Sequence, residues 1–324
     1  MDKDLFDKYI HQLRTLNRGY NKGFGRAPHK PILLLAIIEL VSKGIISSNR
    51  IFISSDLILS FRDIFQKLVT TGHKANFALP FFHMRSEPFW YLINKPGMAI
   101  PMTASSSIKS FKKLEETIAF AEIDRELFNL FVQESSRNVI IQFLLQEYFN
   151  KSELQSVYES STEIVIRNEI LNEPTEVYQQ QIIALKGTMS KDNFQEEIFI
   201  RGGIFKKTVP QIYNYTCCIS GMKIMSNSSA QMIDACHIIP FSISNDDTIP
   251  NGLSLSPNLH RAFDRGLITI NKDYVVRVSR SVEENDSVYS LSQFDGKQIN
   301  LPTSEKWYPS PEALIWHNKE VYII

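Results

Sequence analysis

The segment NGLSLSPNLHRAFDRGLI, residues 251–268, restricts the folds open to this chain more than any other stretch. Pro257 suits the first turn of a helix and Gly266 suits its end, so the spacing predicts a short helix between them. On this helix His260 and Asp264 are four residues apart and therefore share one face. An imidazole and a carboxylate in this arrangement can bind one cation together.

A hairpin is predicted to precede this helix. The stretch QMIDACHII has the pattern of an extended run, with His237 near its end and Asp234 three residues earlier. Asn251 falls in the loop that follows, where its amide can hold either the imidazole or the hairpin by hydrogen bonds. The alternative is a surface helix beside a core histidine, but four residue types at these spacings favour a functional site.

The predicted hairpin and helix can supply what hydrolysis of a phosphodiester bond needs, namely an activated water, a divalent cation and a group that orients the base. His237 is the candidate general base, and Asn251 is the candidate orienting group. His260 and Asp264 are candidate metal ligands, with Asp234 as a further carboxylate. Such a mixed set suits Mg²⁺ and also accepts Mn²⁺ or Ni²⁺.

The motifs CCISG, DACHIIPF and NGLSLSPNLHRAFDRGL resemble those of the HNH, or ββα-metal, endonucleases. They are especially similar to the branch found at the C-terminus of McrA-like restriction enzymes. The resemblance implies that His237 is the general base, Asn251 the middle asparagine and His260 the third motif residue. Asp264 stands where many members have a second histidine. Cys236 stands where the wider family often has a histidine or aspartate ligand, so the chain departs from the family there.

The length of 324 residues leaves room for about two domains. Apolar periodicity predicts a mainly helical first domain over residues 1–155, a helical and acidic connector over 156–195, and the nuclease domain over 196–324. The expected fold class is therefore α+β with two domains. Within the first domain NFALPFFHM predicts an extended segment, and residues 106–121 predict a helix.

An odd number of cysteines does not suit a framework of disulfides, which predicts a cytoplasmic protein. The chain starts with acidic residues and without an apolar run, so no signal peptide is predicted.

Basic residues are concentrated near the start of the chain. Lys and Arg total 35, as do Asp and Glu, yet five basic residues and no acidic one fall between Arg14 and Lys30. The loop GFGRAPHKP in this stretch has flexible glycines that let a phosphate or a base edge come close. Arg26 can bond a guanine edge, and His29 and Lys30 can bind phosphate. The alternative is that these three side chains only begin the following helix and stay solvated.

The stretches RAPHKPILLLAIIEL and ALPFFHMRSEPFW resemble the sulfur-binding domain that precedes an HNH domain in phosphorothioate-dependent type IV restriction enzymes. In that family a shallow apolar pocket with a proline wall accepts the sulfur that replaces one phosphate oxygen. The resemblance implies that Leu79 and Pro80 form this wall, with Arg26, His29 and Lys30 around the DNA backbone. Leu79 stands where the family usually has a tyrosine.

The sequence thus predicts a modification-dependent restriction endonuclease for antiphage defence. It is expected to recognise phosphorothioated double-stranded DNA and to cut both strands as a homodimer or by two successive nicks. One alternative is an HNH enzyme that recognises methylated cytosine or an unmodified sequence. An enzyme that reads a flipped methylcytosine would need a deep aromatic pocket, and the sequence has no clear aromatic pair for one. The other is a non-catalytic DNA-binding protein, which is expected to lose His237, Asn251 or His260, although all three are present.

Overall fold

The structure, a computed structural model, describes residues 3–99, 108, 110–151, 161–226 and 231–324. The chain divides into two compact units, the first formed by residues 1–163 and 190–200 and the second by residues 164–189 and 201–324. Helices and small antiparallel sheets make up both units, so the predicted α+β class with two domains is confirmed. The domain boundaries predicted at residues 155 and 195 stay predictions.

The first unit is mainly helical. Its helices are α1 (Lys3–Arg14), α2 (His29–Ser42), α3 (Ser55–Leu68), α4 (Ala78–His83), α5 (Phe111–Thr117), α6 (Arg125–Val132) and α7 (Glu134–Phe149). Its strands are β1 (Tyr20–Asn21), β2 (Gly25–Arg26), β3 (Arg50–Ile51), β4 (Trp90–Asn94) and β5 (Ile118–Ile123). β1 and β2 form a hairpin, and β5 lies between β3 and β4 in an antiparallel sheet.

Helix α2 is the centre of the core of the first unit. It is apolar on all sides, and every side chain from Ile32 to Ile38 is at most 2% exposed. It packs against α3, α4, α6 and α7, as expected for a helix with no polar face. After the last helical residue Gly44 takes a φ of +71°, the left-handed conformation in which helices commonly end. The N-terminal end of this central helix therefore presents His29 and Lys30 at a fixed position.

The prediction of an extended segment over NFALPFFHM is wrong, because this stretch forms α4. Phe77 and Phe81 are four residues apart and fully buried, and their ring centroids lie 5.4 Å apart, so helical spacing buries both rings together. The side chain of Asn76 begins the helix by accepting a hydrogen bond from the Leu79 N–H at 3.1 Å. Pro80 lies in the first turn, where its missing N–H would have no partner within the helix.

The predicted helix over residues 106–121 is wrong at its C-terminal end. Residues 106, 107 and 109 lie outside the described part of the chain, and α5 covers only residues 111–117. From Ile118 the chain forms β5, which is hydrogen-bonded to β3 on one side and to β4 on the other. Two partner strands thus satisfy the backbone of these residues and outweigh their local preference for a helix.

The second unit contains the helical segment before the nuclease motifs and the motifs themselves. Its helices are most of α8 (Ser161–Asn172), α9 (Thr175–Thr188), the part of α10 (Lys191–Ile212) from residue 201 onward, α11 (Phe241–Ser244), α12 (Pro257–Asp264) and α13 (Pro311–Glu320). Its strands are β6 (Asp234–His237), β7 (Gly252–Leu255), β8 (Ile268–Ile270) and β9 (Val276–Val278). Across the described ranges no helix is both long and apolar enough to span a bilayer.

The hairpin and the helix predicted from the motifs are both present. β6 and β7 pair antiparallel with His237 opposite Gly252, and α12 packs against both strands. Gly266 ends the helix region with a φ of +68°, and a Cβ atom there would lie 2.0 Å from the carbonyl oxygen of Val321. Only glycine fits this close approach, which fixes the C-terminal end of the chain against α12.

Candidate functional site

A cleft of about 360 Å³ lies beside the hairpin and α12 in the second unit. Three of the predicted site residues, His237, His260 and Asp264, line it together. The exposed side chain of Lys206, on α10, also borders the cleft and was not predicted from the sequence. The structure therefore brings the imidazole of His237, a pair of potential metal ligands and an exposed lysine to one cleft.

The imidazole of His237 is fixed from two sides. Its Nε2 lies 2.8 Å from Oδ1 of Asp247, whose side chain is 1% exposed. Its ring stacks on Phe205 with a centroid distance of 3.9 Å and an angle of 8° between the planes. A carboxylate oxygen at Nε2 favours the tautomer of His237 that carries its proton on Nε2. Nδ1 is then the basic nitrogen, as a general base requires.

Asn251 holds the loop that follows His237. Its side-chain oxygen accepts a hydrogen bond from the Ile239 N–H at 2.9 Å, and its Nδ2 donates to the carbonyl oxygens of Ile239 at 2.9 Å and Asp246 at 3.0 Å. The residue is only 2% exposed. Of the two roles predicted for this amide, these bonds favour fixing the hairpin over contacting the imidazole.

The two carboxylates predicted as metal ligands lie at opposite nitrogens of His260. Nε2 of His260 lies 3.4 Å from Oδ2 of Asp264, and Nδ1 lies 3.2 Å from Oδ2 of Asp234. All three side chains are at least partly exposed, so a cation and its waters can reach them. The two nitrogens of an imidazole ring point away from each other. A metal ion on one nitrogen of His260 is therefore remote from the carboxylate at the other nitrogen. A nitrogen and a carboxylate oxygen at the Nε2 side fit a divalent cation.

Cys236 lies next to this pair. One potential ligand atom from each of Cys236, His260 and Asp264 falls within 4.8 Å of the others, and the Cys236 Sγ is 3.7 Å from Oδ1 of Asp264. Burial, followed by the Asp264 carboxylate, raises the pKa of the Cys236 thiol well above its usual range. A protonated thiol donates a weak hydrogen bond, so in this geometry Cys236 orients Asp264.

A buried network stands behind His237 and was missed in the sequence. The Tyr178 hydroxyl donates to Oδ2 of Asp247 at 3.4 Å, and Nη1 of Arg201 lies 3.4 Å from the same hydroxyl and 2.7 Å from Oε2 of Glu169. The set also spans distant parts of the chain, namely β6, the loop after α11, α8, α9 and α10. No local spacing signals such a set, because Tyr178 and Asp247 are 69 residues apart.

A second pocket, of about 390 Å³, lies in the first unit. Four of the five residues predicted to bind DNA line it, namely His29, Lys30, Leu79 and Pro80. Arg26 is exposed on β2 and is not among the lining residues. The lining also contains residues outside the predicted DNA-binding set, among them Asn17, Arg18, Ala27, His83 and Ser86.

Lys30 is held inside the wall of this pocket. Its ammonium group forms a buried ion pair with Glu87 and donates to the Ser86 hydroxyl at 2.8 Å. Glu87 also accepts a hydrogen bond from the Asn17 N–H at 3.1 Å. Burial lowers the pKa of Lys30, while Glu87 acts in the opposite direction. The charge of Lys30 is therefore largely compensated by Glu87, which limits what it offers to a phosphate.

The remaining walls of the pocket are neutral or apolar. Burial is the main cause that lowers the pKa of His29 and of His83 below the usual 6.5, so both imidazoles are uncharged at neutral pH. Leu79 and Pro80, at the start of α4, add aliphatic surface. Arg18 is the remaining cation. Such a pocket suits a large, weakly hydrated atom on a group that still carries negative charge.

Comparison with protein families assigns both units. Residues 5–160 match the family described as "ScoMcrA-like, DNA sulfur-binding domain", and residues 217–271 match the family described as "HNH endonuclease". The second unit therefore contains an HNH endonuclease domain, and the prediction of a nuclease is confirmed.

More particularly, the chain carries a DNA sulfur-binding domain followed by an HNH domain, the order found in modification-dependent restriction endonucleases. Both resemblances predicted from the sequence are thus confirmed. The sulfur-binding family binds DNA, and HNH nucleases generally depend on a divalent metal ion.

Two solved structures show distant similarity. The modification dependent TagI restriction endonuclease matches at 19% identity over 36% of this chain and 37% of that chain, with a TM-score of 0.29. The type IV phosphorothioation-dependent restriction endonuclease ScoMcrA matches at 10% identity over 78% of this chain and 94% of that chain, with a TM-score of 0.34. The chain thus spans little more than a third of the TagI chain, and the assignment rests on the two family matches. A search of curated proteins found no significant match.

Proposed function

We propose that this protein recognises phosphorothioated double-stranded DNA through the pocket of the first unit and hydrolyses phosphodiester bonds at the cleft of the second. The observation that carries the proposal is the composition of the first pocket. Aliphatic surface from Leu79 and Pro80 lies there beside two neutral imidazoles and Arg18. An ordinary phosphate oxygen loses strong hydration in such surroundings, whereas sulfur is larger, more polarizable and less hydrated and loses less.

In the proposed recognition step, the aliphatic wall contacts the sulfur. Arg18 attracts the negative charge, which is spread over the sulfur and the non-bridging oxygen of the phosphorothioate. Arg26 lies outside the lining and would contact the DNA backbone or a base edge next to the modified position. Leu79 preserves the apolar wall but gives it a smaller side chain than the tyrosine usual in the family. We therefore expect selectivity for sulfur to survive this difference.

In the proposed catalytic step, His237 takes a proton from the attacking water. His260, through Nε2, and Asp264 would hold the divalent cation, for which we propose Mg²⁺ with Mn²⁺ or Ni²⁺ as substitutes. When bound, the cation stabilises the negative charge that develops on the phosphate and on the leaving oxygen. Asn251 keeps the base loop in place.

Asp234 has a different proposed role from the one predicted. It lies at Nδ1 of His260, so we propose that it accepts the Nδ1–H and orients the ring toward the metal ion rather than binding the ion itself. A carboxylate, a histidine and a metal ion in this order form a common arrangement, in which the carboxylate fixes the tautomer of the ligand.

One active site cuts one strand. A double-strand cut therefore requires a homodimer or two successive nicks, and we propose the homodimer because it brings two cleavage sites to one recognised duplex. We also propose a cytoplasmic location, because the DNA substrate is found there and the three cysteines are free.

The recognition step can be tested by binding of the full chain to two duplexes that differ only in one stereodefined phosphorothioate. Salt must be equal in both titrations, because the backbone contribution to affinity depends steeply on it. We expect a preference of about tenfold or more for the modified duplex, or ~1.4 kcal/mol. Leu79→Asn should remove most of this preference with little change in affinity for the unmodified duplex, and Leu79→Tyr should retain it.

Ile45→Asn is the matched control. Ile45 is 50% exposed and follows the opposite end of α2, roughly 20 Å from the pocket at 1.5 Å per residue, so this variant should keep the preference. Equal binding of both duplexes by the wild type would reject phosphorothioate recognition. A duplex with methylated cytosine and a panel of unmodified sequences would then identify the target.

A further inference from the structure

One face of α9 holds the loop that carries Asp247. The Thr175 hydroxyl lies 3.2 Å from the Thr248 hydroxyl, and Nε2 of Gln179 donates to the Ser244 carbonyl oxygen at 3.0 Å. Between them Tyr178 donates its hydroxyl to Asp247. Residues 175, 178 and 179 share one side of a helix, so α9 contacts this loop along a single stripe.

The carboxylate of Asp247 is buried and yet is poised between two specific donors. Oδ1 faces Nε2 of His237 at 2.8 Å, and Oδ2 faces the Tyr178 hydroxyl at 3.4 Å. Burial, and next the Asp247 carboxylate, raises the pKa of Tyr178 far above its usual value, so this hydroxyl remains a donor. A buried carboxylate is costly unless it is hydrogen-bonded, and its position is accordingly well defined by its partners.

We propose that Asp247 is the positioning residue for the general base: it selects the tautomer of His237 with the proton on Nε2 and leaves Nδ1 free for the attacking water. The stack on Phe205 restricts rotation of the ring, and the hydrogen bond from Tyr178 on α9 restricts rotation of the carboxylate. Among the described residues Nδ1 of His237 has no hydrogen-bond partner in the protein. The inference rests on the proposed role of His237 in cleavage.

The reasoning depends on what each side chain can donate or accept. Without a fixed acceptor at Nε2, a neutral imidazole distributes its proton over both nitrogens, and the form with Nδ1–H cannot accept a proton from water there. In Asp247→Asn the amide keeps the shape of the carboxylate, but its NH₂ group can donate to Nε2 and thereby favour the unproductive tautomer. The variant therefore changes the hydrogen-bond direction with little change in volume.

The test uses the full chain labelled with ¹⁵N in its histidine rings, without metal or DNA, and its readout is the ¹⁵N shifts of the imidazole of His237. The wild type should give one protonated and one unprotonated nitrogen, with the proton on Nε2. Asp247→Asn should give a mixed or reversed pattern. In parallel, kcat for DNA cleavage should fall about 10²-fold or more, the scale of a disabled general base. The Kd for DNA measured without metal should change less than about twofold.

Asp246→Asn is the matched control, because it removes the neighbouring buried carboxylate from the same loop. Asp246 accepts a hydrogen bond from the Thr248 N–H at 2.8 Å and does not bond His237, so this variant should keep the wild-type tautomer. Tyr178→Phe should reduce kcat by about 2- to 10-fold, as expected for one lost hydrogen bond. It also tests the network if Asp247→Asn does not fold.

Two outcomes would overturn the inference. The first is a wild-type tautomer with wild-type kcat in Asp247→Asn. The second is a loss of activity that follows loss of thermal stability while the tautomer stays unchanged. A His237→Ala variant that cleaves as well as the wild type would instead reject the proposed general base, whereas the ring shifts of His237 would still report whether Asp247 sets the tautomer.

Discussion

Acidification should destabilise the second unit through His317. This histidine lies on α13, is 1% exposed, and stacks on Phe263 of α12 with a centroid distance of 3.6 Å. Its Nε2 donates to the carbonyl oxygen of Phe263 at 3.1 Å, and Nδ1 accepts from the Thr269 hydroxyl at 2.8 Å. Both bonds suit the neutral ring. Burial lowers the pKa of His317 from the usual 6.5 to about 4.

The size of the effect follows from linkage between protonation and unfolding. A histidine whose pKa is lower in the folded state binds a proton first in the unfolded state as the pH falls. Its contribution is therefore complete above pH 6.5 and is lost between pH 6.5 and about 4. A tenfold change in proton affinity is worth ~1.4 kcal/mol, so the loss of unfolding free energy should reach about 3 kcal/mol at the acid end.

Urea unfolding at several pH values from 8 down to about 3 can measure this loss. Trp307 and Trp316 report on the second unit, and a Trp90→Phe background removes the tryptophan of the first unit from the signal. His317→Gln in the same background is the comparison, because its amide can still donate to Phe263 but does not titrate. The free energy of unfolding of the wild type should fall more steeply with acid than that of the variant.

The difference between the two proteins isolates His317 from the carboxylates that also titrate in this range. Parallel curves for the wild type and His317→Gln would refute the reasoning, since they would mean that the buried ring binds its proton as readily as in the unfolded chain. A gap that opens below pH 6.5 and levels off near pH 4 would support it.

Two further predictions concern the cleft. Lys206→Gln should lower kcat/KM about tenfold by removing the exposed cation that borders the cleft, and Lys206→Arg should retain most of the activity. Equal loss in both variants, measured by cleavage at fixed salt, would indicate a packing role instead. Asp264→Asn should abolish detectable Mn²⁺ binding in calorimetry. Asp234→Asn should weaken Mn²⁺ binding by only about 10- to 100-fold, as expected for a group that orients a ligand. Equal loss of Mn²⁺ affinity in the two variants would make Asp234 a ligand.

The parts of the cleft that could be predicted are those encoded by local spacing. His260 and Asp264 are one helical turn apart, and His237 ends the strand of a hairpin beside that helix. Secondary structure alone therefore brings these three side chains together. Pro257 and Gly266 mark the limits of the helix, and the hairpin and helix are present as expected.

Burial of aromatic rings determines the conformation of α4, for which the local sequence pattern predicted an extended segment. An unbroken aromatic stretch with a proline resembles a buried strand, because apolar runs carry no periodicity of their own. Phe77 and Phe81 reveal their helical spacing only once it is known that both face the same core. Similarly, Lys30 looks like a free cation in the sequence, and its pairing with Glu87, 57 residues away, is a property of the folded unit.

The same distinction explains why the support of the general base was missed. Residues 156–195 read as an acidic connector because their polar character shows no strong amphipathic pattern, yet Tyr178 within them is fully buried. A tyrosine in a helix 69 residues before its partner Asp247 gives no signal that one sequence can display. A nuclease fragment that begins at residue 196 would keep His237, Asn251 and His260 but would lose the face of α9 that holds Asp247. The motif thus identifies the groups that carry the chemistry, while the geometry that makes one of them a base depends on a segment the motif does not include.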